Sequence, residues 1–337
     1  MVTEKQPITL SIIVPVFNRP AEVDELLESL TRQTHKAFEV VIVEDGSSVK
    51  CDEQVEKFKA LLDIKYFFKK NSGPGLTRNY GYERATGNYG IFVDSDCVIP
   101  PHYVQTVLDA LTSNFVDAFG GPDSADKSFT IVQKSINYAM TSFLTTGGIR
   151  GGGEKLDKFY PRSFNMGYSR TVFETTKGFS GMRFGEDIDM SIRILNCGFK
   201  TRLIKEAYVY HKRRTNFKQF FKQVYNSGIA RINLYKRHPG SLKIVHAFPS
   251  LFLIGVLVLI VLAILISPYF ILPLALYSVL VFLDSTFKNK NIRVGLVSIV
   301  ASCVQLIGYG AGFLTAFWKR IILSKREYSA FTDTFYD

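Results

Sequence analysis

Short apolar runs alternate with amphipathic segments between residues 8 and 119, and this alternation constrains the fold more than any other feature. The apolar runs are ITLSIIVPVF, FEVVIV, IKYFF, YGIFV and VDAFGG. Segments with helical spacing lie between them: the first opens at Pro20, and the others are DEQVEKFKALL, GLTRNYGYERA and PHYVQTVLDAL. Repeated strand–helix units predict an α/β fold with a mainly parallel sheet and helices on both faces.

Residues 120 to 215 follow a less regular pattern. A helix is predicted around SFTIVQKSINYAMTSFL, a strand at FNMGYSR, a helix at GEDIDMSIRILNCGFK that Gly198 ends, and a further strand at TRLIKEAYVYHKRR. The glycine-rich segment TTGGIRGGGEK lacks the Lys-Ser/Thr ending of a P-loop. The pattern therefore favours a mobile loop over the site, with a phosphate-binding loop as the alternative.

Three apolar runs without acidic or basic side chains dominate the region after residue 247, at 248–267, 269–283 and 294–318. The first is about twenty residues long, enough to cross a bilayer. Lys288, Lys290 and Arg293 lie between the second and third runs, so the first two are predicted to form a hairpin with both ends in the cytosol. For the third run, either the positive-inside rule is overridden and the basic tail KRIILSKRE is exported, or the stretch LIGYGAGFL re-enters rather than spans.

Basic side chains crowd residues 200–246, where Glu206 is the single acid, within a chain of formal net charge +11. Because this region leads directly into an apolar run, attraction to anionic lipid headgroups explains it more simply than nucleic-acid binding. The segment NFKQFFKQVYNSGIARINLY has helical spacing. It predicts a helix that either packs on the domain or lies in the membrane interface.

The amino terminus and the cysteines both indicate a cytosolic body. MVTEKQPITLSIIVPVF has a short apolar run without a small-residue cleavage site, so it does not resemble a signal peptide. Cys51, Cys97, Cys197 and Cys303 are scattered without metal-ligand spacing, which is typical of reduced thiols.

Acidic side chains stand where predicted strands end. In a parallel α/β sheet, ligands bind beyond the carboxyl ends of the strands. The first strand ends in VPVFNR, the second at Glu44 and Asp45, and YGIFV is followed by Asp94, Ser95 and Asp96. Two carboxylates that flank one residue suit a hard divalent cation, although a helix cap or turn is the alternative for Asp94. The shared edge favours metal binding.

A second group of acids begins the predicted helix GEDIDMSIRILN. Glu186, Asp187 and Asp189 could serve only to cap this helix, since its macrodipole favours negative charge there. The preceding glycine-punctuated loop GFSGMRFG could also bring a carboxylate over the site, where a general base would belong. His211 ends the run AYVYH and is either a packing residue or a ligand.

Four segments together resemble the inverting family-two glycosyltransferases of the GT-A fold. They are SIIVPVFNRP, VIVEDGSS, GPGLTRNYGYERATGNYGIFVDSDC and GFSGMRFGEDIDMSIRILNCGFK, in the family's order across residues 11 to 199. The resemblance implies a GT-A (Rossmann-like) domain followed by C-terminal transmembrane helices. Since the QxxRW motif of processive synthases is absent, the chain resembles the membrane-attached, non-processive members of the family.

The resemblance implies roles for individual residues. Asp187 is the implied base, with Asn165 and Glu186 on the acceptor side. Asp94, Asp96 and His211 are the implied ligands of Mn²⁺ or Mg²⁺. The implied donor-binding residues are Pro15, Phe17, Asn18, Asp45, Arg78, Asn79, Asp94 and Ser95.

The implied activity is metal-dependent, inverting transfer of a sugar from a nucleotide-diphosphate-sugar to an acceptor hydroxyl, by a hexosyltransferase-like enzyme. The acceptor is expected to be a lipid-linked or cell-surface glycan, with membrane lipids as partners and no nucleic acid. The alternatives are a nucleotidyltransferase, which would need a glycine-rich phosphate loop after the first strand, and a non-catalytic membrane-bound nucleotide-sugar binder.

The expected organisation has four parts. Residues 1–215 form the catalytic domain, with a nucleotide-sugar half at about 1–119 and an acceptor half at about 120–215. A basic amphipathic interfacial region follows at 216–247, two to three transmembrane segments at 248–318, and a basic-then-polar tail at 319–337. The protein is expected in the cell (inner) membrane as a multi-pass protein, with its catalytic domain on the cytoplasmic side.

Overall fold

The computed structural model describes residues 7–124, 129–146, 159–212 and 214–331. Packing divides the chain into two units, Met1–Asp126 with Glu154–Lys212 and Lys127–Gly153 with Arg213–Asp337. The domain boundary expected at residue 215 stays a prediction, and packing differs from it by assigning Lys127–Gly153 to the second unit. The glycine-rich segment predicted as a loop falls largely on residues 147–158, outside the described residues.

A seven-stranded sheet forms the centre of the first unit, in the order β3-β2-β1-β4-β8-β6-β9. The four strands β1 to β4 are parallel, while β8 runs antiparallel to both of its neighbours. The predicted mainly parallel α/β sheet is therefore confirmed. The strands are β1 Leu10–Val16, β2 Phe38–Asp45, β3 Asp63–Lys69, β4 Tyr89–Val93, β5 Cys97–Val98, β6 Ala118–Gly120, β7 Asp123–Ser124, β8 Asn165–Ser169, β9 Thr201–Leu203 and β10 Val209–His211.

A small second sheet pairs β10 with β5 and β7. The sequence predicts one strand over TRLIKEAYVYHKRR, but the chain turns at Lys205 and Glu206 and divides it into β9 and β10 in different sheets. The register sets His211 opposite Cys97. The division therefore carries His211 to the residues that follow β4.

Two apolar layers cover the faces of the large sheet, because alternate strand residues point to opposite sides. Ile12 and Val40 belong to one layer, while Ile13 and Val41 belong to the other. Fully burying such a side chain stabilises a fold by about 1.5–3 kcal/mol. The helices of this unit are α1 Pro20–Thr31, α2 Asp52–Phe58, α3 Pro74–Arg84, α4 Tyr103–Ser113, α7 Arg170–Thr176 and α8 Glu186–Asn196.

The second unit is helical. Its helices are α5 Ile131–Thr141, α6 Phe143–Thr146, α9 Phe217–Arg237, α10 Phe248–Leu265, α11 Leu272–Asn289 and α12 Ile292–Ala316. Three segments are long and apolar enough to cross a membrane, Ile244–Leu265, Pro268–Asn289 and Ile292–Ile322. The stretch LIGYGAGFL lies inside α12, and an unbroken helix has no turn at which the chain could re-enter.

Candidate active site

The carboxyl ends of β1, β2 and β4 meet at one edge of the large sheet, since these strands are parallel neighbours. Asp45 is the last residue of β2, and Asp94 directly follows β4. A tight turn from Asp94 to Cys97, closed by a 3.1 Å backbone hydrogen bond, brings Asp96 to the same edge, with Ser95 buried between the two aspartates. The sheet thus holds these carboxylates on a rigid support.

Three potential metal ligands converge at this edge from two separate parts of the chain. The Nε2 atom of His211 lies 3.1 Å from Oδ1 of Asp96 and 3.9 Å from Oδ2 of Asp94. The imidazole stacks on the ring of Phe164, with the ring centres 5.2 Å apart and the planes inclined by 11°. Stacking and strand pairing therefore both orient His211 toward the two aspartates.

This donor set fits a divalent cation. Asp96, Cys97 and His211 offer ligand atoms within 4.8 Å of one another. Burial, with the charges of Asp96 and Asp94 adding to it, raises the pKa of the Cys97 thiol well above its ordinary value. The thiol donates to the carbonyl of Phe164 at 3.6 Å, and a soft sulfur ligand suits Mn²⁺ or Mg²⁺ less well than carboxylate oxygens do. Asp96 and His211 remain, and Asp94, whose Oδ2 lies 3.9 Å from Nε2 of His211, adds a second carboxylate. Carboxylate oxygens of this kind suit Mn²⁺ or Mg²⁺.

Arginines neutralise both aspartates. Nη1 of Arg19, at the end of β1, lies 2.6 Å from Oδ2 of Asp96. Nη2 of the buried Arg78 on α3 lies 2.6 Å from Oδ1 of Asp94, and its Nη1 lies 3.2 Å from Oε1 of Glu186. One guanidinium thus joins the carboxylates after β4 to the head of α8.

Asn79, the neighbour of Arg78, fastens the loop that leads to α8. Its Oδ1 accepts a hydrogen bond from the backbone N–H of Phe179, and its Nδ2 donates to the carbonyl of the same residue, each at 2.8 Å. Gly185 then begins the helix in the left-handed region, at φ 83°, which favours glycine. The Arg78–Asn79 pair therefore sets the position of the acids that follow.

Glu186 and Asp187 are buried side by side but have different electrostatic environments. Burial raises the pKa of Glu186 to about 7, and the charge of Asp187 adds to the rise while Arg78 opposes it. Burial alone would raise the pKa of Asp187 too, but Arg162, whose Nε lies 2.6 Å from Oδ2, outweighs it and lowers the pKa. Asp187 is therefore ionised at neutral pH.

The predicted nucleotide-side residues line the carboxyl ends of β1 and β2. The Asp45 carboxylate pairs with Lys69 and accepts hydrogen bonds from the N–H groups of Ser72 and Gly73, at 2.8 and 2.9 Å. Oδ1 of Asn18 accepts from the N–H groups of Ser48 and Val49. Pro15 and Phe17 are half-buried beside them.

Asn165, predicted on the acceptor side, is not brought into this cluster. It is fully buried in β8, where its Oδ1 accepts from the Tyr103 hydroxyl at 2.6 Å and its Nδ2 donates to the carbonyl of Ala207 at 2.8 Å. Its amide therefore joins β8 to its surroundings and has no exposed surface to offer a substrate.

The sequence pattern gave no role to Lys69 and Arg162, which pair with acids, or to Phe164, which stacks on His211, and it placed Arg19 at the sheet edge without a role. Arg19 stands at the end of β1, and a position at the ligand-binding edge was the signal that could have found it. Phe164 begins the predicted strand FNMGYSR and Arg162 precedes it, and no local pattern indicates a role for either side chain.

Comparison with known proteins gives a family. The family described as Glycosyl transferase family 2 matches residues 11–183. An uncharacterized glycosyltransferase of Escherichia coli (strain K12), YibD, is 26% identical over 242 residues, which are 68% of this chain and 67% of the relative. The chondroitin synthase of Escherichia coli is 31% identical over 236 residues, 60% of this chain and 34% of the synthase.

Other relatives match over shorter stretches. An uncharacterized glycosyltransferase of Rickettsia felis is 39% identical over 105 residues, 31% of this chain. The chain spans only 15% to 35% of the length of the Rickettsia and Haemophilus influenzae relatives that it matches.

Solved structures share the fold. The mannosyltransferase PcManGT from Pyrobaculum calidifontis, in complex with GDP-Man and Mn²⁺, has a TM-score of 0.63 at 15% identity, covering 89% of this chain and 88% of the other. Residues 1–349 of TarS from S. aureus, in complex with UDP-GlcNAc, have a TM-score of 0.50 at 17% identity and cover 97% and 95%. These likenesses identify the first unit's sheet as a GT-A fold.

Proposed function

The chain belongs to glycosyl transferase family 2 and is a glycosyltransferase, and from this premise we propose that it transfers a sugar from a nucleotide-diphosphate-sugar to an acceptor hydroxyl by metal-dependent, inverting single displacement. One observation carries the proposal. Asp94, Asp96 and His211 converge at the sheet edge, and Arg78 pairs with both Asp94 and Glu186, the neighbour of Asp187 at the head of α8.

The donor is proposed to bind along the carboxyl ends of β1, β2 and β4. Asp45 would accept a hydrogen bond from the base, and Pro15, Phe17 and Asn18 would hold the base and ribose. Arg78, Asn79, Asp94 and Ser95 would shape the rest of the pocket. Complexes of proteins with this fold contain UDP-GlcNAc and GDP-Man, which supports a nucleotide-sugar as the ligand class.

Asp94, Asp96 and His211 would hold the cation. When bound, Mn²⁺ or Mg²⁺ would act as a Lewis acid that stabilises the negative charge of the leaving diphosphate. Arg19 and Arg78 compensate the two carboxylates here, which keeps like charges together at tolerable cost. The donor set, two carboxylate oxygens and one imidazole nitrogen, supports this role.

Asp187 is proposed to be the general base. It takes the proton of the acceptor hydroxyl while the acceptor oxygen bonds to the anomeric carbon and the bond from that carbon to the diphosphate oxygen breaks. Because attack and departure occur on opposite faces, the anomeric configuration inverts. Arg162 keeps Asp187 ionised and oriented, and a positioned base of this kind contributes roughly 10²–10⁴-fold to the rate.

The proposed acceptor is a lipid-linked or cell-surface glycan at the cytoplasmic face of the membrane. Three candidate spans in the second unit support membrane attachment, which would keep the enzyme close to such an acceptor. The proposed location is the cell (inner) membrane.

The test uses the detergent-solubilised full chain with Mn²⁺, a panel of nucleotide-sugars and a membrane-lipid extract, with nucleotide release and labelled lipid as readouts. Asp187→Asn should abolish transfer, a loss of at least a hundredfold, while nucleotide binding survives. Asp109→Asn, on the exposed side of α4, is the matched control and should keep full activity. Wild-type rates from Asp187→Asn would reject Asp187 as the base, and nucleotide binding without any transfer in the wild type would identify a non-catalytic binder.

A further inference from the structure

The three candidate spans differ sharply in how much of each the protein itself covers. Only 6% of the most apolar stretch in Ile244–Leu265 is buried, and 11% in Pro268–Asn289, but 44% in Ile292–Ile322. Leu257 on α10 and Val279 on α11 are more than half exposed. The spans Pro268–Asn289 and Ile292–Ile322 have similar mean hydropathy but different environments, because protein covers the span that contains α12 far more than it covers either of the others.

The helices α5 and α9 cover α12 along its length, and the end of α11 meets its start, where the hydroxyls of Ser285 and Ser298 lie 2.7 Å apart. Near its start, the Ser135 hydroxyl of α5 donates to the carbonyl of Val294 at 3.2 Å. At its middle, Ala301 packs in one cluster with side chains of α5 and α9. Toward its end, a Cβ atom added at Gly312 would collide with the backbone of Tyr225, so α9 and α12 touch backbone to backbone. The two helices therefore lie at the same depth.

The composition of α9 excludes it from the hydrocarbon core. Lys218, Lys222 and Arg231 are spread along it, and Asn226 and Asn233 are buried. A lysine or arginine at the centre of a membrane helix is costly and rare. Since α9 stays outside the hydrocarbon, the part of α12 that packs along it stays outside as well.

The C-terminal tail returns to α9. Asn226 donates from Nδ2 to the carbonyl of Ala330 at 2.9 Å and accepts at Oδ1 from the N–H of Ala330 at 2.8 Å. Nδ2 of Asn233 donates to the carbonyl of Tyr328 at 3.1 Å, and Arg237 pairs with Glu327 at 2.9 Å. These bonds require tail and α9 to be on one side of any membrane.

The end of α12 also meets the start of α10. The Ser250 hydroxyl donates to the carbonyl of Gly310 at 3.3 Å, and α9 reaches α10 through the short connection 238–247. Trp318 is 59% exposed and Ile322 is 52% exposed, with Lys325 and Arg326 on the surface after them. Tryptophan beside basic residues is typical of the interface with an anionic leaflet.

We propose that α10 and α11 cross the membrane and that α12 does not. Instead α12 lies along the membrane surface with α5 and α9, and its end, with the basic tail, contacts anionic lipid headgroups on the face from which α10 departs. The positive-inside rule then holds for the tail, and neither an exported tail nor a re-entrant segment is needed to explain the third apolar run.

Cysteine labelling tests the side of the tail. In a Cys197→Ser, Cys303→Ala background, whose remaining cysteines are buried, single cysteines are placed in the full chain by Gly240→Cys before α10, Tyr269→Cys at the hairpin tip and Arg326→Cys in the tail. A membrane-impermeant maleimide is applied to right-side-out and inverted vesicles. The tail cysteine at position 326 should be labelled from the same side of the membrane as Gly240→Cys and from the side opposite to Tyr269→Cys. The proposal would be overturned if the tail were labelled from the same side as the hairpin tip, or from neither side. It would also be overturned if the tip were labelled from the same side as Gly240→Cys.

A depth measurement tests α12 without relying on cysteines. Trp318 is the single tryptophan, so Trp318→Phe provides a background without tryptophan fluorescence. Val300→Trp probes the centre of α12, and Leu257→Trp is the matched control at the centre of α10, both at exposed positions. In vesicles of phosphatidylcholine and phosphatidylglycerol, lipids brominated deep in the chain should quench the control most, and shallow ones should quench Val300→Trp most. Equal, deep quenching of both would show that α12 spans.

Discussion

Buried glutamates at the two ends of the large sheet have pKa values shifted in opposite directions. At the amino-terminal end, Glu39 of β2 accepts hydrogen bonds from the Ser11 hydroxyl and the Thr86 N–H, both at 2.5 Å, and pairs with Lys65 at 2.6 Å. Burial alone would raise its pKa, but these partners outweigh burial and lower the pKa to about 2. At the carboxyl end, burial and the neighbouring Asp187 raise the pKa of Glu186 to about 7.

This difference separates a stabilising acid from a functional one. The charge of Glu39 is fully compensated, so its ionised form favours folding. Glu186 and Asp187 hold like charges together in a buried site, an arrangement that costs stability and is typical of binding and catalytic sites. Changes at the amino-terminal end should therefore affect folding, and changes at the carboxyl end should affect transfer.

The largest effect is expected from Glu39→Gln. The pKa of Glu39 is depressed, so its contribution is complete above its ordinary pKa of 4.5 and is lost as pH falls toward 2. A shift of this size corresponds to about 3 kcal/mol. Chemical denaturation in detergent should show a loss of this order at pH 7, with an unchanged KM for the donor. Glu53→Gln on the exposed side of α2 should change neither, and a Glu39→Gln variant impaired in transfer but not in stability would break the comparison.

Arg162→Gln should produce the next largest effect, on transfer. Without the guanidinium, the strongest opposition to burial is lost, so the pKa of Asp187 rises and the acid limb of the pH profile of kcat/KM moves to higher pH. We expect a roughly tenfold loss near neutral pH, or about 1.4 kcal/mol.

Arg162→Lys retains the positive charge and should restore part of the rate and of the profile. A fall in rate with the acid limb unmoved, in both variants, would mean that Arg162 acts on the substrate and not through Asp187.

The smallest effect is expected from Glu186→Gln, which should stabilise the fold. Because the native carboxyl retains its proton up to about pH 7, the wild-type free energy of unfolding falls as pH rises from 4.5 to 7. Glutamine keeps an oxygen for Arg78 and removes the charge beside Asp187, so a gain of about 0.5–1 kcal/mol at pH 7 is expected. Chemical denaturation at several pH values measures it, with exposed Glu83→Gln as control. A loss of stability would show that the Arg78–Glu186 pair outweighs the repulsion.

Much of the fold could be predicted from local patterns. The run of apolar and amphipathic segments predicts β1 to β4 and α1 to α4, because each element's periodicity and its glycine or proline boundaries are encoded in adjacent residues. The prediction of one continuous strand over residues 201–214 was wrong, since its two halves join different sheets. Periodicity does not report which strand a segment pairs with, so that division could not be seen.

By itself, the sequence determined the type of site: acids at strand ends, a second pair at the head of α8, and apolar runs near the C-terminus. Only the tertiary structure decided the partners. Arg78 and Glu186 are 108 positions apart in the sequence, and Arg162 and Asp187 are 25 positions apart. The tertiary structure also packs α9 against α12. Side-chain type and period are local properties, whereas an ion pair or a helix contact depends on where distant segments cross, so only the folded chain sets which acid is compensated and which apolar helix is covered.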